Sequence, residues 1–525
     1  MQAGTLTHGQ TRPGATPYAL AGSPLLLSVP ITLALATVLV LAFAWISPDE
    51  HEATTVLLNG LLLAICIFPG VRWYFGPRRV VPIFECICLA YGIHFGVATL
   101  VRPNEFVEHF TDAGTRIPFT ESELATTLGA VIVGVLALQL AYALYSISPL
   151  PHRVPAVDVP LNRERLHRYL LVTTIGGLIL VEVRGIGLTP GSDSPVGAIL
   201  NLLANQLTVA VAILSYLVFS GRPQPRIYSR LLILSVLGSV WLGLTTAQFE
   251  NLLIVPVVIA ITTVQLRRQF MLLILGAVAV GYLLVIQPVK IEYRKLLVQS
   301  PVSLGVPERI GLWAEAFGNV VTPPDTTDAA DTTADSTSGS NAGLDTVRSS
   351  LARVDYTHFF ELVRLDTPAM IPYYNGSSYS YFFVGWIPRA IWPDKPSALD
   401  GNNRLVLDYG LLSVVSIQTT TAGLGLLPEA YANFGDLGMV LIMALQGFFL
   451  AMIFRAFTVT ARIGPQAVLL SVAIFLINGV GGITAVMYSG LLQNLAGSAI
   501  LLWLAAGNND VPERLATYWR RWVGQ

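Results

Sequence analysis

Residues 124–148, LATTLGAVIVGVLALQLAYALYSIS, run for 25 residues without a charge. A helix of that length exceeds the ~30 Å hydrocarbon core of a bilayer. Comparable apolar runs recur near 24–46, 54–71, 80–101, 169–186, 197–219, 229–247, 250–266, 270–288, 437–457, 466–484 and 486–506. Together they predict an all-α polytopic membrane protein of about twelve transmembrane helices. The composition of the 525 residues agrees, at 53% hydrophobic against 12% charged with a mean hydropathy of +0.62. A soluble chain carries about 25% charged residues, so this one lacks the charge to cover several soluble domains.

The net charge of −1 gives no reason to expect a nucleic-acid partner; the bilayer itself is the first partner. Cys66, Cys86 and Cys88 lie in apolar runs and have neither a disulfide count nor zinc-ligand spacing. No metal or cofactor is expected. Lys and Arg set the orientation. Connections after even-numbered spans, with the C-terminal tail, hold 17 of them, from Arg72, Arg78 and Arg79 to Arg514, Arg520 and Arg521. The short connections after odd-numbered spans hold only Arg102, Arg116 and Arg184. Both termini are therefore expected in the cytoplasm. The first helix is expected to be retained, since a single Arg12 precedes it where a signal peptide would carry a stronger positive charge.

This reading divides the chain into spans one to nine (1–288), a large extracytoplasmic loop (289–436), and spans ten to twelve with the tail (437–525). The loop is too long for a passive connector. In Pro301 to Val321, Ile310, Trp313 and Phe317 recur at helical spacing, which suits an interfacial helix. Thr322 to Asp345 is Thr, Asp, Ser, Ala and Gly without Lys or Arg, a disordered insert by composition. Residues 347–364, VRSSLARVDYTHFFELVR, can form a helix with His358 on its apolar stripe and Glu361–Arg364 as a surface pair. After Tyr373-Tyr374-Asn375-Gly376, the aromatics Tyr379, Tyr381, Phe382 and Phe383 suit an interfacial belt, a re-entrant element or a surface for stacking sugars. Residues 387–396, IPRAIWPDKP, hold three prolines that forbid a continuous helix. That stiff backbone either presents Arg389 and Lys395 to a ligand or anchors the loop through Trp392.

The IPRAIWPDKP block resembles the signature of bacterial oligosaccharide repeat unit polymerases, the Wzy-type O-antigen polymerases. Residues 427–438, LPEAYANFGDLG, resemble that family's Glu-x-Tyr-x-Asn-Phe-Gly-x-x-Gly pattern, and Arg353-Val354-Asp355 sits where such proteins often place an Arg-x-Asp pair. The specific likeness covers roughly 347–440. The Thr/Asp-rich insert departs from the pattern, as does Thr245-Thr246-Ala247-Gln248, where relatives tend to show a Gly-Ser-Arg-like turn. The resemblance implies a membrane glycosyltransferase (GT-C-like) architecture in the bacterial inner membrane. It implies transfer of a glycan from undecaprenyl pyrophosphate to another lipid-linked repeat unit at the outer face, making O-antigen or exopolysaccharide. A chain-length regulator and a flippase would be its partners.

A lipid pyrophosphate leaving group needs charge stabilisation more than a general acid, and guanidinium groups match phosphate oxygens bidentately. Arg389, Lys395, Arg353 and Arg348 are the candidates, in that order, with Trp392, Tyr374, Tyr431 and Asn433 lining the substrate site. The acceptor hydroxyl must lose a proton, for which Asp355, Glu429 and His358 are the candidate bases. Glu429 is placed at the water–membrane boundary, where orienting Asn433 or capping the helix is its bland role. Packing is the bland role of His358. Two alternatives remain: an O-antigen ligase-like transferase, and a transporter of lipid-linked sugars, for which no internal repeat is visible.

Overall fold

A computed structural model describes residues 22–46, 52–76, 80–101, 120–150, 154–185, 194–245, 250–266, 268, 270–281, 286–299, 305–321, 355–385, 387, 392, 394–418, 422–478 and 480–507. Among these residues the chain is helical, and its one β feature is an isolated bridge between Leu161 and Gly507. The membrane helices are α1 (Gly22–Ile46), α2 (Ala53–Phe75), α3 (83–101), α4 (Glu121–Ile147), α5 (Arg163–Gly185), α6 (Pro195–Phe219), α7 (Arg226–Thr245), α8 (Glu250–Gln265) and α9 (Phe270–Gly281). A hairpin of α10 (Gln287–Gln299) and α11 (Val306–Val321) follows. Then come α12 (Thr357–Asp366), α13 (Ser380–Gly385), α14 (Ala398–Asp408), α15 (Leu426–Thr458), α16 (Ile463–Asn478), α17 (Thr484–Tyr488) and α18 (Leu491–Ala506).

Among the described residues eight helical stretches are long and apolar enough to cross a membrane. Shorter apolar stretches, Leu27–Ala42, Leu252–Gln265 and Ile463–Ile477, coincide with three further expected spans. The expected ninth span, 270–288, corresponds to the twelve residues of α9, followed by α10 from Gln287. The loop boundary placed at 289 therefore falls inside a helix. The boundary at 436/437 lies beside Gly435, where the backbone of α15 breaks from helical geometry, so the expected tenth span matches the part of α15 after that break. The twelfth span is divided differently as well, with α17 and α18 meeting at Ser489–Gly490.

The two ends of the bundle are distinct. At one end Val81 N–H donates to Gln466, Val157 N–H to the Ala456 carbonyl and Asn162 N–H to the Ala506 carbonyl, and Arg462 pairs with Asp158 at 2.7 Å. These are the basic connections of the sequence. At the other end Thr55 donates to Glu121, Tyr356 N–H to the His94 carbonyl and Arg309 to the Thr245 carbonyl. The most extensive helix pair is α4 with α15. A Cβ at Gly447 would collide with the Leu138 backbone, so close packing of the two helices requires the glycine. Thr120 and Glu123 form a reciprocal capping box at the start of α4.

The α10–α11 hairpin has a small core of its own. Trp313 is buried there with its ring 5.7 Å from that of Tyr293, while Ile310 and Phe317 stay exposed. The predicted apolar stripe is thus split: its tryptophan faces α10, and two of its members face outward.

Candidate functional site

The outer segment joins the bundle where α3 widens. Gly92–Val97 forms a turn of π-helix, a distortion that frees backbone carbonyls and is frequent at functional sites. The His94 carbonyl accepts from Tyr356 N–H at 3.2 Å. The Phe95 carbonyl accepts from both Thr99 (2.7 Å) and Thr357 (3.3 Å), and the two hydroxyls lie 2.8 Å apart. The Tyr356 ring fills the space where Gly481 would carry a Cβ. Gly481 therefore serves close approach, and its neighbour is a tyrosine of the outer segment.

This docking brings two of the three candidate bases together at the start of α12. Asp355 is 2% exposed, and its Oδ1 accepts from Thr357 N–H at 2.8 Å. Its Oδ2 lies 3.8 Å from His358 Nδ1, with the imidazole 13% exposed. That separation is longer than a hydrogen bond. The His358 ring also lies against Phe359, centroids 3.8 Å apart. Asp355 lies on the Nδ1 side of the ring, while Nε2, the nitrogen that would take a proton, is itself buried, so proton abstraction there requires that nitrogen to be uncovered.

Glu429 lies elsewhere, enclosed by protein. It is fully buried in the first turn of α15. Ser378 donates to its Oε1 at 2.7 Å and the Thr484 backbone N–H to its Oε2 at 2.6 Å. Asn433, also fully buried, donates to Ser378 and to the Glu429 carbonyl, both at 2.8 Å, and accepts from Gly376 N–H at 2.9 Å. Glu429 and Asn433 therefore tie α15 to the turn at 375–378 and to the start of α17. Gly435 ends this helical segment with φ +67° and ψ −165°, a conformation open to glycine alone. The motif is thus a short buried helix, kinked away from the membrane-crossing part of α15.

Tyr431 is buried beside it, 7% exposed, with the Arg364 guanidinium 4.8 Å above its ring. Arg364 also bonds Asp436 at 2.6 Å. The surface pair expected between Glu361 and Arg364 is corrected here: Glu361 is buried and Arg364 reaches the motif instead, because the helix turns Glu361 inward. Tyr374 donates to Asp408 at 2.6 Å, under Arg404. Burial and the Asp408 carboxylate beside it both push the Tyr374 hydroxyl's pKa up.

Lys395 is committed to the backbone. Its ammonium donates to the carbonyls of Ile387 (2.6 Å) and Gly385 (2.9 Å), capping the C-terminus of α13. Trp392 is 41% exposed, as an anchoring residue would be. Arg389, Arg353 and Arg348 lie outside the described residues, as do the insert at 322–345 and the turn at 246–249. In the aromatic stretch Tyr379 stacks on Phe434, nearly parallel at 6.0 Å, and Phe383 is 69% exposed.

No family model, curated protein or solved structure matches the chain. Ser378 and Thr484 escaped the sequence reading, and Arg364 was read as a surface residue paired with Glu361. Ser378 and Thr484 carried no signal, since one is a loop serine and the other acts through its backbone. Among the described residues no group of three or more His, Cys, Asp or Glu gathers with metal-binding geometry.

Proposed function

We propose that the protein polymerises undecaprenyl-pyrophosphate-linked oligosaccharide repeat units by glycosyl transfer at the outer face of the bacterial inner membrane. The observation that carries this reading is the junction of the outer segment with the bundle. There Asp355 and His358 are set against the π-turn of α3, and the Glu-x-Tyr-x-Asn-Phe-Gly stretch folds as a buried element that fixes the 375–378 turn. His358 would take the acceptor hydroxyl's proton, with Asp355 orienting the ring and stabilising its charge. The anionic leaving group would be met by arginines of the outer segment, Arg389 and Arg353 first. Lys395 supports the Pro-rich block that carries Arg389 by capping α13. The helical, multi-pass fold suits a GT-C-like architecture with cytoplasmic termini.

The test is a gel of lipid-linked glycans from cells with and without the gene. Single repeat units on the carrier and no ladder support the proposal. Long chains that persist on the carrier but never reach their final acceptor would replace it with ligation.

A further inference from the structure

The turn at 373–376 stands between two matching groups of side chains. Its backbone is fixed on the short buried helix ahead of Gly435. Tyr374 and Asn375 N–H donate to the carbonyls of Ala432 (3.1 Å) and Asn433 (3.2 Å), and Gly376 N–H donates to the Asn433 side chain. From this backbone the ring of Tyr373 lies 6.4 Å from that of Tyr431, while the ring of Tyr374 lies 6.5 Å from that of Tyr409. Each pair of tyrosines carries an arginine over one ring and an aspartate beside it. Arg364 lies 4.8 Å above Tyr431 and bonds Asp436 at 2.6 Å. Arg404 lies 5.4 Å above Tyr374, whose hydroxyl donates to Asp408 at 2.6 Å, and Arg404 Nε is 3.7 Å from the same carboxylate.

Holding the fold together does not account for these pairs. Arg404 and Asp408 are both exposed and one turn apart on α14, and Asp436 is mostly exposed, so water screens both attractions. What the pairs share is spare hydrogen-bonding capacity on a rigid support. Among the described residues, Arg364 has one of its five N–H donors in a hydrogen bond and Arg404 has none, while Asp436 Oδ2 and Asp408 Oδ1 accept no bond. A guanidinium resting on an aromatic face is already oriented, so little ordering entropy is left to lose when a ligand meets its edge.

Charge decides the ligand class. Each pair is neutral as a whole: its carboxylate repels a phosphate and its guanidinium repels a cation. Asp366, close to Tyr409, adds a further negative charge against a phosphate. A hydroxyl both donates and accepts, so neighbouring hydroxyls of one molecule can donate to the carboxylate and accept from the guanidinium of the same pair. The half-buried rings of Tyr373 and Tyr374 supply apolar surface beside them. We propose that the two pairs flanking the 373–376 turn, Arg364–Asp436 and Arg404–Asp408, grip neutral sugar units of the lipid-linked glycan by their hydroxyls. The proposal rests on the reading of the substrate as a lipid-linked glycan. It separates these sugar-holding arginines from Arg389 and Arg353, which would meet the pyrophosphate.

The experiment is calorimetric titration of the full-length chain in detergent. The probe is a phosphate-free oligosaccharide freed by mild acid from the host's own surface polysaccharide, with inorganic pyrophosphate as competitor. The wild type should bind the oligosaccharide, and pyrophosphate should not displace it. Asp436→Asn and Asp408→Asn keep the shape and leave an acceptor for Arg364 and Tyr374. Each should weaken oligosaccharide binding about tenfold, as loss of a hydrogen bond to a charged group does. Arg404→Gln should weaken it as much. Should Asp436→Asn fail to fold, Asp408→Asn and Arg404→Gln decide, since both lie at an exposed helix end. Wild-type affinity in either aspartate variant, or displacement by pyrophosphate, would overturn the proposal. A wild type that makes the glycan ladder but does not bind the oligosaccharide sinks this proposal alone. One that binds it but makes no ladder sinks polymerisation and leaves the sugar site standing.

Discussion

Removing the Glu429 charge tests whether the carboxylate is a positioning group. Its two oxygens accept from Ser378 and from the Thr484 backbone, and no water reaches it. A hydrogen bond to a charged acceptor contributes about 1.5–3 kcal/mol. Glu429→Gln keeps the volume but turns one acceptor into a donor, so one of the two bonds is lost, at about 2–3 kcal/mol. Glu429→Ala strands both donors and opens a cavity, which raises the cost to about 4 kcal/mol or more. The assay is thermal unfolding of the purified protein in detergent for Glu429→Gln, Ser378→Ala and the double variant. Coupling between the two sites should be about 1–3 kcal/mol. Strictly additive effects would refute the bond. A wild-type unfolding midpoint in Glu429→Gln together with loss of the glycan ladder would place the carboxylate on the substrate instead.

Gly435→Ala should lower stability by about 1–3 kcal/mol, the scale of one residue forced into a disfavoured conformation, with a further clash because its Cβ would lie 3.0 Å from the Tyr373 hydroxyl; an unchanged melting curve would show that the kink is not needed. Lys395→Met should lower the unfolding midpoint by stranding the carbonyls it caps, a cost of about 1–3 kcal/mol; unchanged stability with loss of polymer would make Lys395 a phosphate ligand. The third concerns alkaline pH. Burial pushes the Tyr409 hydroxyl up to about 12 from an ordinary value of 10.0, against the opposing bond from Thr367. Its folded pKa is the higher one, so stability is intact below pH ~10 and falls as pH rises towards ~12, by about 2–3 kcal/mol. Tyr409→Phe should flatten that part of the stability profile, and an unaltered slope would assign the loss to other groups.

Much of the helix pattern was legible because apolar runs and their charge bias are properties of single segments. The runs at 54–71, 124–148 and 197–219 all became long helices. What reading single segments does not show is which buried polar groups find partners across the fold. Residues 426–434 fall in the expected loop and form a short helix ahead of the break at Gly435, where Glu429 and Asn433 find partners inside the protein rather than water. The bonds of Lys395 to the backbone were not legible either. Its partners are carbonyls eight and ten residues back, and nothing in composition marks a backbone carbonyl as waiting for an ammonium. Arg364 was assigned to Glu361 by helical spacing, but spacing is blind to which face is buried, and the true partner Asp436 is 72 residues away.

These differences also rearrange the candidate site. A residue sealed from solvent with both oxygens occupied cannot meet a sugar hydroxyl without a conformational change, so in the proposed reaction Glu429 would act through the turn it holds. Arg364 and the Asp436 carboxylate keep some access, the latter 65% exposed, and the His358 ring is 13% exposed although its Nε2 is buried. His358 and Arg364 sit on one short helix, α12, which packs against both α4 and α15. The buried motif and the π-turn of α3 therefore position the same element from two sides. A substitution at Ser378 or Thr99 would displace α12 without touching any group that meets substrate. Under the proposed function, loss of polymer in such variants with the protein still folded would mark a scaffold that holds α12 in place.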